Sequence, residues 1–538
     1  MGDRRSMPLS ARERYYKRRI RRMRRLAISS VCLTVFICAA MVYPVFAPAS
    51  SLREESLVTA NTETELSPTQ TLVPTQELEA TSTVEAQTTI PLPTQGRIIP
   101  PSEDSYLLYY TIAGDSLPVV SLHFGVDIKD ISSPQVVDPQ GLIPPNQLLI
   151  IPNNLSETSA RTKLLPDSEI TYSPSTIEFD INTFVEEAGG YLSSYRQWLQ
   201  STGWTSGADV IATVARDYSV NPRLILAFLE YNAGWVYGTP ANNTLKNYPM
   251  GCIDEGKKDL YLQAAWFASN VMEGYYGWRE GRRLVINFPD GQELRIAPEL
   301  NAGTVGLMNG FSYLYDFSEW AQKLYGEENF LAYYKSMFDS PWIRAQSVEP
   351  LIPADTVQPE MILPFEVNKI WAFTGGPHAA WSAADVWAAI DFAPSSDQTG
   401  CHESNEWVVA SMEGLVVRSG NGVVVIDQDG DGYEQTGWTL LYLHIATKDR
   451  VPLGTWVEVG DRIGHPSCEG GRSTGTHVHL ARRYNGEWVP ADGPLPFTLS
   501  GWEAKAGVQA YQGWLIRGDD IIYANTASTY ETQLSRDE

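Results

Sequence analysis

Gly475-Thr476-His477-Val478-His479-Leu480-Ala481 sets two histidines one residue apart in an apolar segment that reads as a β-strand. Side chains at i and i+2 of a strand share a face, so His477 and His479 are expected to point the same way. Of the seven histidines in the chain, His378, His402, His444, His465, His477 and His479 all lie between residues 378 and 479. Imidazoles gathered in this way and paired on one strand face point to a metal site rather than to scattered surface or core histidines. The surrounding residues 360–505 alternate short apolar runs with Gly and Asp turns, as in "EWVVASMEGLVVRSGNGVVVIDQDGDGYEQTGWTLLYLHIA". That pattern predicts an antiparallel all-β domain. Residues 506–538 are expected to add a strand and an acidic, frayed tail.

At 538 residues the chain is too long for one ordinary domain. Its net charge of −24 is unevenly spread, because residues 1–25 hold eleven Lys/Arg against only Asp3 and Glu13. The acidic remainder argues against nucleic acid as a partner. The basic segment runs into residues 26–47, which carry no charge and are long enough to span a bilayer as a helix. Positive charge before the span predicts a single-pass membrane anchor with a cytoplasmic N-terminus and an extracellular body. The alternative is secretion after cleavage near Ala49, within Ala47-Pro48-Ala49-Ser50. Either route exports the body to a compartment where disulfides form. Cys32 and Cys38 fall in the span, and Cys401 and Cys468, both in the His-rich region, are expected to pair. Cys252 is then left odd. Residues 51–103 are rich in Thr, Ser, Pro and Glu without apolar periodicity and read as a disordered linker. No sequence signal bears on oligomeric state.

Residues 106–153 form a short unit that opens on an apolar strand, turns at Ala113-Gly114-Asp115-Ser116 and closes on the strand Gln147–Pro152. Its pieces "YYTIAGDSL", "HFGV" and "PPNQLLIIP" resemble a LysM domain, which implies a βααβ module binding N-acetylglucosamine chains of peptidoglycan. The family's usual Asn is replaced here by the segment Val137-Asp138-Pro139. Residues 175–345 read as amphipathic helices, with Asn221-Pro222 opening one of them. The stretch "SVNPRLILAFLEYNAGWV" resembles the catalytic-glutamate helix of lysozyme-like and lytic transglycosylase domains. The resemblance implies an all-α domain in which Glu230 acts as a general acid on glycan strands. Tyr231 stands where that family usually has Ser.

The β-domain carries four fragments: "TGGPHAAW" with His378, "AAIDFAP" with Asp391, "LLYLHIA" with His444 and "GTHVHLAR" with His477 and His479. A catalytic zinc takes three N/O ligands and one open position. Together the fragments resemble the lysostaphin-type zinc metallopeptidases, which hydrolyse peptide bonds in peptidoglycan. The spacing from His378 to Asp391 and the Gly-Gly-Pro-His run resemble that family's β-lytic branch, which also carries a disulfide suited to Cys401 and Cys468. The resemblance implies one zinc ion per chain held by His378, Asp391 and His479, with His444 and His477 catalytic and unliganded. The whole chain then reads as anchor, linker, LysM-like domain, lysozyme-like domain and zinc peptidase, all directed at the cell wall. The alternatives are a non-catalytic wall-binding regulator of other hydrolases and a secreted endopeptidase for Gly-rich proteins.

Two further features take plainer readings. His402 and His465, near Cys401 and Cys468, are expected to be bystanders to a disulfide. Asp427-Gln428-Asp429-Gly430-Asp431-Gly432 begins like a calcium loop, but its twelfth position is Trp438 rather than Glu, so a hairpin turn is expected.

Overall fold

The computed structural model describes residues 106–382 and 386–537. The basic segment, the 26–47 span and the 51–103 linker lie outside the described residues. Among the described residues no helix is long and apolar enough to cross a membrane.

The first unit pairs β1 (Tyr106–Tyr110) antiparallel with β2 (Leu148–Pro152), with α1 (Leu117–Phe124) between them. Tyr109, Val120, Phe124, Ile143, Leu149 and Ile151 form its small core. The second helix expected of a βααβ unit is a single 3-10 turn, Ile128–Asp130. Pro134, Pro139, Pro144 and Pro145 crowd the following segment and deny it regular helical hydrogen bonding.

The middle region is built on α2 (Ile181–Ala188), α3 (Gly207–Asp217), α4 (Pro222–Ala233), α5 (Leu260–Arg279), α6 (Ala302–Ser312), α7 (Phe317–Tyr325) and α8 (Phe330–Phe338). Helix α4 starts as its sequence predicts: the Asn221 side chain accepts from Arg223 N, and Pro222 sits in the first turn. Gly234, at φ +63°, ends it. The region is not purely helical, since Arg196–Leu199 pairs with Gly203–Ser206 and Val285–Asn287 with Glu293–Arg295.

The C-terminal region contains β3 (Ile370–His378), β4 (Ala389–Pro394), β5 (Gly414–Gly420), β6 (Val423–Asp427), β7 (Trp438–Leu443), β8 (Trp456–Val457), β9 (Val478–Tyr484), β10 (Thr498–Leu499), β11 (Trp502–Ala506), β12 (Gly513–Arg517), β13 (Asp520–Tyr523) and β14 (Gln533–Ser535). The main antiparallel sheet runs β8-β5-β6-β7-β9-β4-β3-β14, and β10 to β13 form a second, four-stranded sheet. The C-terminal segment supplies β12 and β13 as expected, but its end does not fray: β14 pairs with β3 and becomes the outer strand of the main sheet.

Both faces of the main sheet are covered. Ile390, Phe392, Val424, Leu440, Tyr442, Val478 and Leu480 point into a core shared with the second sheet. Ala389, Val423, Val425, Leu441, Leu443 and Ala481 point the other way, into the core of the helical region. This double burial explains why "VVVI" and "LLYL" are unbroken apolar runs instead of alternating ones. Polar contacts reinforce the junction. Arg418 meets Asp217 at 2.6 Å and Trp488 N donates to the Tyr276 hydroxyl at 2.9 Å. Arg279 ties three regions together, donating to Ala113 O at 2.6 Å and pairing with Asp167 at 3.0 Å and Glu487 at 3.1 Å.

Candidate metal centre

Three adjacent strands bring the predicted ligands together. His479 on β9 lies directly opposite Asp391 on β4, and His378 ends β3 opposite Ala389. The strand period puts His477, His479 and Ala481 on one face, the face that meets the helices. His378 Nε2 lies 3.0 Å from His479 Nδ1, and Asp391 Oδ1 lies 3.3 Å from the first and 3.2 Å from the second. All three residues are buried.

The outer nitrogens of both rings are committed. His378 Nδ1 faces Gly376 O at 2.8 Å, and His479 Nε2 faces Ala380 O at 3.0 Å. A carbonyl only accepts, so both of those nitrogens carry the proton. The inner nitrogens of the neutral rings then turn lone pairs toward each other and toward Asp391 Oδ1, a buried oxygen with no hydrogen-bond partner. Without a cation the cluster must share a proton. Burial works to lower His378, but Asp391 outweighs it and the pKa is raised. Burial works to raise Asp391, but His378 and His479 hold it well below the usual carboxylate range. A metal ion can take the place of that proton. Two nitrogens and one oxygen 3.0–3.3 Å apart suit zinc, because bonds of about 2.0–2.1 Å at tetrahedral angles separate ligand atoms by roughly 3.3 Å.

His444 and His477 stand beside this triangle, with ring centroids 4.5 Å apart. His444 follows β7 directly and has φ +67°, a left-handed backbone rare for a non-glycine residue and costing of order 1–3 kcal/mol. Its Nδ1 donates to Glu469 O at 2.8 Å. Burial, with His477 and His479 adding to it, drives its pKa down to about 3, so Nε2 keeps its lone pair. His477 Nδ1 donates to Gly475 O at 2.8 Å, leaving Nε2 turned toward Asp391 Oδ1 at 3.8 Å.

The loops around these two histidines are cross-linked by a disulfide between Cys401 and Cys468. Ser467 N donates to His444 O, and Thr476 N donates to Gly400 O. His465 packs on Trp407 and faces Glu406 O through Nδ1, and His402 faces Gly400 O, so neither joins the cluster. Cys252 is free and half-buried.

Two contributors carry no local sequence signal. Tyr511, from the loop between β11 and β12, stacks on His378 with centroids 4.1 Å apart. A side chain at Gly375 would meet the Asp391 carboxylate, its Cβ falling 2.5 Å from Oδ2. Trp371 and Trp438 are buried structural residues, and Trp381 packs against the helical core.

Glu230 lies at the end of α4, far along the chain from this cluster. Its Oε2 accepts from Val236 N and from Tyr237 N at 3.1 Å, which ties the carboxylate to the loop after the helix.

An antiparallel β-domain with a buried His/Asp/His cluster and two flanking histidines defines a candidate metal centre. Residues 389–491 match the family model for peptidase family M23, and residues 163–352 match the model for the N-terminal domain of LasA. His378 lies just before the segment that matches the peptidase model. Protease LasA of Pseudomonas aeruginosa is 22% identical over 294 residues, covering 51% of this chain and 66% of the relative's length. The deep-sea M23 metalloprotease pseudoalterin is 22% identical with a TM-score of 0.27, covering 34% of this chain and 100% of that one. The catalytic domain of lysostaphin from Staphylococcus simulans is 22% identical with a TM-score of 0.17, covering 23% of this chain and 90% of that one.

Proposed function

We propose that this protein is an exported cell-wall hydrolase that cleaves peptide bonds in peptidoglycan with one zinc ion held by His378, Asp391 and His479. The observation that carries the reading is the triangle of inward-facing ligand atoms, whose two imidazoles are fixed by outward hydrogen bonds to Gly376 O and Ala380 O. A zinc ion held there supplies Lewis acidity toward a carbonyl and toward a water. His444 Nε2, kept unprotonated by burial, accepts the proton of the attacking water. His477 Nε2, which keeps its lone pair while Nδ1–H donates to Gly475 O, orients that water from the same side, and the proton taken up by His444 passes on to the leaving amine. Tyr511 holds the His378 ring by stacking.

Anchoring through residues 26–47 and wall binding through residues 106–153 belong to the same proposal. The proposal rests on the histidine cluster and does not extend to glycan cleavage by the helical domain, where Glu230 Oε2 accepts from two backbone N–H groups. A second reading, an endopeptidase acting on Gly-rich proteins, is favoured by the likeness to a relative named as a protease.

The test incubates the zinc-loaded full chain with purified sacculi, and separately with a soluble Gly-rich protein, and identifies the fragments by mass spectrometry. Peptide-stem fragments from sacculi that disappear in His479→Ala support the proposal. Cleavage of the soluble protein alone supports the second reading. Tight zinc binding with no cleavage of either substrate would leave the role of a non-catalytic regulator. Glu230→Gln is expected to release the same fragments as the wild type.

A further inference from the structure

The turn between β6 and β7 holds a second group of potential ligands, on a different chemistry from the histidine cluster. Ligand atoms of Asp427, Asp429 and Asp431 all lie within 4.8 Å of one another. Oxygens bound to one calcium ion at about 2.3–2.6 Å can be no more than roughly 5 Å apart, so a single cation can reach all three.

Acidic residues in an exposed turn are ordinary, and proximity alone would decide nothing. Asp427 is different because it is fully buried, the last residue of β6, opposite Thr439 on β7. Its Oδ2 accepts from Gly432 N at 2.8 Å, whereas Oδ1 is buried without a hydrogen-bond partner. Among the described residues no ion pair reaches Asp427. A buried carboxylate oxygen left in this state costs several kcal/mol unless a proton or a cation meets it. Burial, with Asp429 and Asp431 adding their charge, lifts the Asp427 pKa to about 7.

We infer that Asp427, Asp429 and Asp431 form a binding site for a hard divalent cation, calcium by chemical class. The ligands are all oxygens, with no imidazole or thiol to favour zinc. Gly432, at φ +89°, gives the sharp turn such a loop needs at its sixth position. Trp438 occupies the twelfth position, so water must complete the shell in place of a bidentate glutamate. The affinity should therefore fall in the weak range of such sites, roughly 10 µM to 1 mM. The bound ion would staple the hairpin whose second strand runs directly into His444.

The test uses the full chain, freed of metals on a chelating resin and reloaded with zinc, titrated with calcium chloride at constant ionic strength. Saturable heat is expected, with a rise in Tm of about 2–5 °C at saturation. Asp429→Asn and Asp431→Asn, both in the turn and each keeping an amide oxygen to accept the turn's hydrogen bonds, should weaken binding at least tenfold. Asp427→Asn should abolish the response and raise the Tm of the calcium-free protein, because it removes the uncompensated buried charge. The inference is overturned if the wild type shows neither heat nor Tm change up to about 10 mM calcium. It is equally overturned if Asp427→Asn and Asp431→Asn respond like the wild type. A response lost in His479→Ala but kept in Asp431→Asn would assign the ion to the histidine cluster and also overturn it.

Discussion

Replacing Gly375 with alanine tests how tightly the second-strand carboxylate is positioned. The backbone at Gly375 is not in the left-handed region, so the only change is a methyl group. Its carbon would fall 2.5 Å from Asp391 Oδ2, 2.9 Å from Cγ and 3.0 Å from Cβ. Relief to an ordinary contact of about 3.4 Å moves the carboxylate by nearly 1 Å, whereas metal–ligand distances tolerate about 0.2 Å. Asp391 cannot simply swing aside, because it is buried between His378 and His479. Zinc affinity is therefore expected to fall by about 10–100-fold, the range seen when the groups orienting a ligand are disturbed. Overpacking should also cost the metal-free fold about 1–3 kcal/mol. Competition against a chromophoric chelator measures the affinity, and chemical denaturation of the metal-free protein measures the stability. Wild-type zinc affinity in Gly375→Ala would refute both the placement of Asp391 and its role as a ligand.

His444→Ala and His477→Ala should each lower kcat by about 10²–10⁴-fold while metal content stays at the wild-type level. Loss of zinc from either variant, read by elemental analysis, would move that histidine into the ligand set. The disulfide closes a loop of 67 residues, so Cys401→Ser should cost about 2–4 kcal/mol in denaturant unfolding, and reductant should destabilise the wild type but not the variant. Two buried carboxyls should contribute stability to the metal-free protein that falls as pH rises, against the opposite contribution of His123 and His444, which burial lowers to about 3. Burial lifts Glu487 to about 7 against the pull of Arg279, and burial with Asp167 lifts Glu349 to about 7. The folded state therefore keeps protons that the unfolded chain releases near pH 4.5, and their contribution is present below that pH and lost on the way to 7. The loss is of order 1–3 kcal/mol for Glu487. The Tm difference between the wild type and Glu487→Gln should therefore shift against the wild type as pH rises from about 4.5 to 7, and a difference that stays constant across this range would contradict the assignment.

The histidine cluster was legible because strand periodicity is local. His477 and His479 had to share a face, and the short fragments around His378, Asp391 and His444 each kept their polar residue within an apolar run. Tyr511 was invisible for the opposite reason: nothing near "AYQGW" signals that its loop folds back over β3. The role of Gly375 likewise depends on a strand fourteen or more residues away in sequence, not on its neighbours. Glu230 reads as a candidate acid because its helix and apolar neighbours are visible in one dimension, while the Val236 and Tyr237 amides that meet its Oε2 come from the next loop. The loop at 427–432 read as a hairpin turn, which it is; the unpaired oxygen of Asp427 emerges only when burial is known.

The helices and the histidines share one face of the main sheet, and this sharing limits how anything reaches the cluster. His378, Asp391, His444 and His479 are all buried, whereas Tyr511 is 51% exposed and His477 is half-buried. Among these described residues, Tyr511 and His477 are the ones that reach solvent. On the proposed reading, a substrate therefore meets Tyr511 and His477 before it meets the buried ligands.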